Sequence, residues 1–545
     1  VTRTTELDRP AGQRLGPAGW AFLWTVPALL LGIVWVFANP VGAAPDERDH
    51  LAKAIAAGRF DIGTEFEGSF GEQPILVRNA SIARVVEIPA RLAPEGYDCF
   101  RFDSNATADC QPDAPASTSD ELVEWVTPVG AYLPTMYVPL GWAANLADDP
   151  VEAFRFARLA SLLLSLGFLV LTIWHLTRWL GRWAGTGVAL ALTPMAVATG
   201  SSVSASGVEI FSATTVAAIA VVATRQPESL ADKATLLTLT GAGVALIQSR
   251  SVGVVAFALL AVIALLRGGW RVVWRELRRP DPVLLGAGAV LFASAVVMLW
   301  WERTFNNPAL TGVLWSAEAY QAWLGQLAFQ VESAIGLFGW LDAPLPDLVL
   351  AVWIGAVVLL TGAAGLLARR ADVLTLVGVG GALLLLSYGT YAVVFFPIQA
   401  GLQGRHLLSV YTVWPILALV AVGEVARRTG LRRLSFRAVL VVALAVPFVQ
   451  FAAVYFNGRR YAVGISGELW FLPAARWVPA PGWGFWLAIA AVACVLQAVL
   501  LLRGGRWSPP APPIGPTDGL ADPPGSVAGP ADDAAGPVHG TSAQP

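Results

Sequence analysis

Long apolar runs separated by short, arginine-bearing segments dominate the chain. A helix needs about 20 apolar residues to cross the hydrocarbon core of a bilayer. Runs of that order fall at 20–38, 155–177, 183–200, 208–224, 234–248, 251–266, 282–300, 347–368, 373–396, 407–425, 438–456 and 484–502. The pattern predicts an all-α integral membrane protein of about twelve transmembrane helices, with a polytopic domain over 20–503. The first run follows Arg3, Arg9 and Arg14, is longer than a signal-peptide core and has no small-residue cleavage site, so it reads as an uncleaved first span. Residues 129–147 are also apolar, but Pro134 and Pro139 interrupt them, and a crossing there would invert every later loop. That stretch is expected at the interface, with its aromatic rings at headgroup level.

Arginine supplies nearly all the positive charge, and its distribution orients the spans. Alternate short loops carry Arg178 and Arg182, then Arg225 and Lys233, then Arg267, Arg271, Arg275, Arg278 and Arg279, then Arg369 and Arg370, then Arg427 to Arg437, then Arg503 and Arg506. Basic loops face the cytoplasm, so both termini are expected there: residues 1–19 as a short leader and 504–545 as a Pro-, Gly- and Asp-rich tail too polar to fold. The composition is 56% hydrophobic with a formal net charge of −2, which suits a bilayer and leaves no basic stripe for nucleic acid. Its Ala, Gly, Pro, Val and Arg usage is that of a GC-rich bacterial genome.

With orientation set by arginine alone, the unusual polar residues all fall on the other face. The first extracytoplasmic loop, 39–150, is long, acidic and holds Cys99 and Cys110, a plausible disulfide in an oxidising compartment. It opens with Pro45-Asp46-Glu47-Arg48-Asp49-His50. One reading makes a carboxylate here a general base on a substrate hydroxyl, assisted by His50; the other makes the cluster the N-terminal end of a helix. Ser202 and Ser204 either bind a polar headgroup or cap the next helix, and Glu209 lies one turn further on. Arg250, in a very short external turn, either binds an anion or snorkels to lipid phosphate. Trp340 and Asp342 pair an aromatic face with a carboxylate, a combination that suits a sugar ring. Gln403-Gly404-Arg405-His406 offers backbone access and a planar guanidinium for phosphate.

Three of these motifs, PDExxH (Pro45 to His50), FGWLD before a proline (Phe338 to Pro344) and QGR (Gln403 to Arg405), occur in order on one face. In these the chain resembles a poorly characterised family of bacterial polytopic membrane proteins within the GT-C glycosyltransferase superfamily. The resemblance covers most of the membrane region. It implies a GT-C-like fold in the inner membrane and transfer of a sugar from a polyprenyl-phosphate donor to an envelope glycan or glycolipid acceptor. It implies Asp46 as base with Glu47 as partner and His50 completing the motif; which acid does the chemistry stays open. Arg405, Arg250 and His406 would hold the donor phosphate, and Trp340, Asp342, Gln403, Ser202 and Ser204 the sugar or acceptor. No metal is required, although the acidic cluster offers room for a divalent ion. Two departures bear on the donor site: His406 stands where an aromatic is usual, and Gly207 where an acid is often found. A flippase for a lipid-linked saccharide and an inactive envelope-assembly scaffold are the rival classes.

Overall fold

The computed structural model describes residues 15–278, 281–305, 314–429 and 432–504. Most of the expected leader and the tail beyond 504 lie outside the described residues. The first span, α1 (Pro17–Ala38), ends where the long loop begins, and the loop opens into α2 (Glu47–Gly58). Then come β1 (Thr64–Glu65), α3 (Pro74–Ile82), β2 (Arg84–Pro89), β3 (Leu122–Thr127) and α4 (Val138–Ala144). The three strands form one antiparallel sheet in the order β1-β2-β3, with Arg84 opposite Thr127 and Pro89 opposite Leu122. The sheet and α4 enclose α2, whose Leu51, Ala54 and Ile55 are fully buried. Gly141 of α4 makes that contact possible, because a Cβ there would sit 1.8 Å from the Ala54 carbonyl oxygen.

The chain re-enters the bundle through α5 (Pro150–Leu180), α6 (Thr186–Ala191), α7 (Pro194–Gly200), α8 (Ala205–Ala223), α9 (Lys233–Ser249), α10 (Ser251–Leu265), α11 (Gly269–Arg278) and α12 (Pro282–Phe305). After α13 (Ala317–Gly325) and α14 (Leu327–Ile335), a β4 (Leu337–Phe338) and β5 (Ala343–Pro344) hairpin leads into α15 (Asp347–Leu367). The last elements are α16 (Arg370–Thr390), α17 (Leu408–Tyr411), α18 (Val413–Thr429), α19 (Arg432–Val463) and α20 (Trp483–Gly504). Helix α8 is buried along its whole length. Its Ala, Ser, Thr and Val side chains are small enough for neighbouring backbones to approach closely, which is how helices pack where lipid removes the hydrophobic drive. By contrast α12, α15 and α16 expose Phe292, Leu359, Leu366 and Leu385 outward, as lipid-facing helices do.

Ten helices among the described residues are long and apolar enough to cross a membrane. Two of the twelve expected spans are not among them. The 234–248 run forms α9, a continuous helix of 17 residues. The 183–200 run is broken: Pro194 lacks an N–H and excludes the helical conformation from its predecessor, so the chain stops at Ala191 and restarts as α7, with the Thr193 hydroxyl accepting from Ala196 N at 3.1 Å. The 129–147 stretch makes no span. Trp142 is exposed, but Tyr132 and Tyr137 turn inward toward His50 instead of lying at the surface.

The charged groups segregate to the two ends of the bundle. At the end away from the long loop, Arg225 lies 3.0 Å from both Asp372 and Glu424, and Arg267 also meets Asp372. Those contacts tie the segments after α8 and α10 to α16 and α18.

Candidate functional site

The long loop is fastened by a buried ion pair. Arg158 projects from α5 to Glu47, with Nε to Oε1 at 2.8 Å and Nη2 to Oε2 at 2.6 Å, and neither side chain has any exposure. Arg158 also donates to the Val36, Asn39 and Pro40 carbonyls at 3.0, 2.8 and 2.7 Å, satisfying acceptors that the end of α1 leaves without helical partners. Glu47 Oε1 accepts a further bond from Val203 N at 3.1 Å. Both Glu47 oxygens are therefore occupied, and the side chain joins α1, α2, α5 and the segment before α8.

Its neighbour is in the opposite state. Asp46 stands at the N-cap of α2 with φ 58° and ψ 16°, and its side chain makes no capping bond. Among the described residues the carboxylate has no hydrogen bond or ion pair; its electrostatic neighbours are Arg405, Arg101 and Arg48. Burial raises its pKa above the ordinary carboxylate value, and those cations pull against the rise. Asp49, one turn on, is pushed up to about 6, chiefly by burial. His50 is held down to about 3 by burial and by Arg405 and Arg250. It is a neutral imidazole whose Nδ1 lies 2.8 Å from the Tyr137 hydroxyl.

Asp46 follows Ala44 and Pro45, which line a cleft together with Trp35, Ser202, Ser204, Phe338, Leu341, Gln403, Arg405 and Asn457. Arg405 donates no hydrogen bond to any described residue, and its Nε and the Gln403 Oε1 are buried without partners. Beside it Arg250 is engaged: Nη1 meets His406 Nδ1 at 2.6 Å and the Ser206 hydroxyl at 3.2 Å, and Glu209 Oε2 lies 3.9 Å away. Because a guanidinium only donates, His406 Nδ1 must accept. Ser204 accepts from Ser206 N at 3.2 Å and caps α8, while Ser202 bonds back to the Thr199 carbonyl at 2.9 Å; both still line the cleft.

Trp340 and Asp342, expected as sugar-binding groups, sit behind the wall. Asp342 Oδ2 accepts from Arg460 Nε and Nη2 at 3.0 and 2.6 Å, and Oδ1 accepts from Trp340 N at 3.1 Å. Trp340 is buried, its Nε1 bonded to the Gly42 carbonyl at 3.2 Å and its ring covered by the Arg101 guanidinium at 4.9 Å. Arg460 continues to the Phe100, Asp103 and Ala106 carbonyls, inside the loop closed by the Cys99–Cys110 disulfide, whose Cα atoms are 6.1 Å apart.

Four of the six non-glycine residues with positive φ among the described residues fall in these segments, Phe60 and Arg267 lying elsewhere. Asp46, Phe102, Leu341 and Gln399 hold φ of 58°, 62°, 65° and 55° without being glycine. Each costs on the order of 1–3 kcal/mol, and such residues cluster at ligand sites.

The structure thus brings Arg405, Gln403, Ser202 and Ser204 to one cleft, with Asp46 next to the lining residue Pro45 and in electrostatic contact with Arg405, and with His50, Arg250 and His406 grouped around that same guanidinium. Sequence reasoning passed over Arg158, although an arginine inside an apolar span is itself a signal of an interior partner. Arg101 and Asp49 carried no signal apart from their neighbours. A divalent cation is a poor fit to the acidic motif: Arg48, Arg101 and Arg405 surround Asp46, Arg158 occupies Glu47, and among the described residues no three His, Cys, Asp or Glu side chains form a metal-binding group.

Many apolar helices, a charged cleft at one end and a folded loop over it define a polytopic helical membrane protein with an interior polar site. The chain belongs to the family described as predicted membrane protein (DUF2142), whose model matches residues 29–414. That match takes in Asp46, Arg158, Arg250 and Arg405. No curated protein matches the chain.

Proposed function

We propose that this protein is a GT-C-type glycosyltransferase of the bacterial inner membrane. In this reading both termini are cytoplasmic and the cleft opens on the extracytoplasmic side, an orientation that the bias of arginine toward alternate loops supports. The observation that carries the reading is the electrostatic contact between a carboxylate, Asp46, and a guanidinium, Arg405, that make no hydrogen bond to any described residue, with Arg405 lining the cleft and Asp46 following its lining residue Pro45. Asp46 takes the proton of an acceptor hydroxyl, and its burial-raised pKa makes it a stronger base than an exposed aspartate. The acceptor oxygen bonds to the anomeric carbon of a polyprenyl-phosphate sugar. The bond from that carbon to the phosphate oxygen breaks, and its electron pair leaves on the lipid phosphate, whose charge Arg405 balances. The acceptor is an envelope glycan or glycolipid.

The test is transfer from a radiolabelled polyprenyl-phosphate sugar pool to endogenous acceptor, in membranes carrying equal amounts of wild type, Asp46→Asn or Arg405→Ala protein. Transfer is expected to fall by about 10²-fold or more in each; wild-type rates in both variants would overturn the assignment. A second reading, a flippase for a lipid-linked saccharide, draws on the helix break at Leu192–Thr193, since interrupted helices beside a polar site also mark transport pathways. Movement of labelled lipid across proteoliposomes without acceptor would favour it.

A further inference from the structure

Helix α11 lies at the end of the bundle opposite the cleft, between α10 and α12, and its ten residues divide into three faces. At about 100° per residue, Gly269, Val272, Val273 and Glu276 share the side turned toward the protein, where Gly269 and Val272 are buried. Trp270, Trp274 and Leu277 share the next, and they are 55%, 54% and 44% exposed. Arg271, Arg275 and Arg278 share the third. Arg275 is committed to Glu228 and Glu276. Arg271 and Arg278 have no acidic partner among the described residues; each guanidinium instead lies over a tryptophan, Trp270 at 5.5 Å and Trp274 at 5.4 Å.

A helix with an outward apolar stripe beside a cationic one lies in the plane of a membrane surface, its rings below the headgroups and its cations among them. The position of α11 between two membrane spans puts it at that level, so its exposed tryptophans are covered by lipid. Two arginines without carboxylate partners then face phosphodiesters, and guanidinium binds phosphate through paired, planar hydrogen bonds.

We infer that α11 is a docking surface for anionic phospholipid headgroups, centred on Arg271 and Arg278 with Trp270 and Trp274 as anchors.

The experiment uses full-length protein released from nanodiscs of equal phosphatidylethanolamine and phosphatidylglycerol, with retained lipid identified by native mass spectrometry. Wild type is expected to retain phosphatidylglycerol in preference, the Arg271→Ala/Arg278→Ala variant to lose that preference several-fold, and the Arg271→Lys/Arg278→Lys variant to keep most of it. Raised ionic strength during release should weaken wild-type retention, an arm that stands even if the alanine variant fails to fold. Equal retention by wild type and a folded alanine variant, or retention indifferent to salt, would overturn the inference. Displacement of the lipid by soluble glycerol phosphate at matched concentration would also overturn it, marking a phosphate site in place of a membrane-docking surface.

Discussion

Glu47 and Arg158 meet in a fully buried, two-pronged ion pair with contacts of 2.8 and 2.6 Å, 111 residues apart in the chain. Asp46, immediately before Glu47, makes no hydrogen bond or ion pair among the described residues, and the cation acting on it most strongly is Arg405 of the cleft wall. One acid of the motif therefore holds the loop in place, and the one before it is left in electrostatic contact with Arg405 of the cleft wall.

Separating the two partners should be costly. Arg158→Ala or Glu47→Gln leaves a charge buried without compensation, which costs about 3–5 kcal/mol, whereas Arg158→Met with Glu47→Leu removes both charges and should be less destabilising than either single change. Thermal unfolding of the purified protein in detergent measures this. A double variant worse than both singles would refute the account.

Asp46→Asn should behave differently. The substitution removes a charge that burial penalises and keeps a residue type tolerated at positive φ, so the melting temperature should equal or exceed that of wild type while transfer is lost. Matched melting curves and transfer assays on one preparation separate this outcome from misfolding.

Asp49 links stability to pH. Its folded pKa of about 6 lies above the ordinary 3.8, so its favourable contribution is fully present below 3.8 and is lost as pH rises through about 6. Relative to Asp49→Asn, wild type should lose on the order of 2–3 kcal/mol across that window and nothing further above it. His50 acts in the opposite sense: with its pKa lowered to about 3 from 6.5, it contributes stability above 6.5 that is lost as pH falls toward 3. Chemical denaturation of wild type, Asp49→Asn and His50→Gln at stepped pH isolates each slope.

Arg460→Ala should loosen the disulfide loop, because it removes the bonds to Phe100, Asp103 and Ala106 together with the tie to Asp342. Tryptic cleavage after Arg101 should accelerate about tenfold for each 1.4 kcal/mol of local opening lost. An unchanged cleavage rate would mean that the loop is held by other contacts.

Membrane character was legible in the sequence, because about 20 apolar residues in a row have few other fates. The sequence also placed Gln403 and Arg405 of the QGR motif, with Ser202 and Ser204, among its candidate residues, and these do line one cleft, whereas Trp340 and Asp342 do not. The break at Pro194 was present in the residues but hidden inside an apolar run, where hydropathy records length and ignores backbone hydrogen bonding. Charge roles were not legible. Asp46 and Glu47 are adjacent carboxylates of nearly equal intrinsic acidity, and nothing local distinguishes them. Only the folded chain brings Arg158 to one and leaves the other beside Arg405. The same holds for Asp342, whose partner Arg460 lies 118 residues away. Apolar patterning is a local property and survives in one dimension; which oxygen keeps its lone pairs is decided by long-range packing, and that exists only in three.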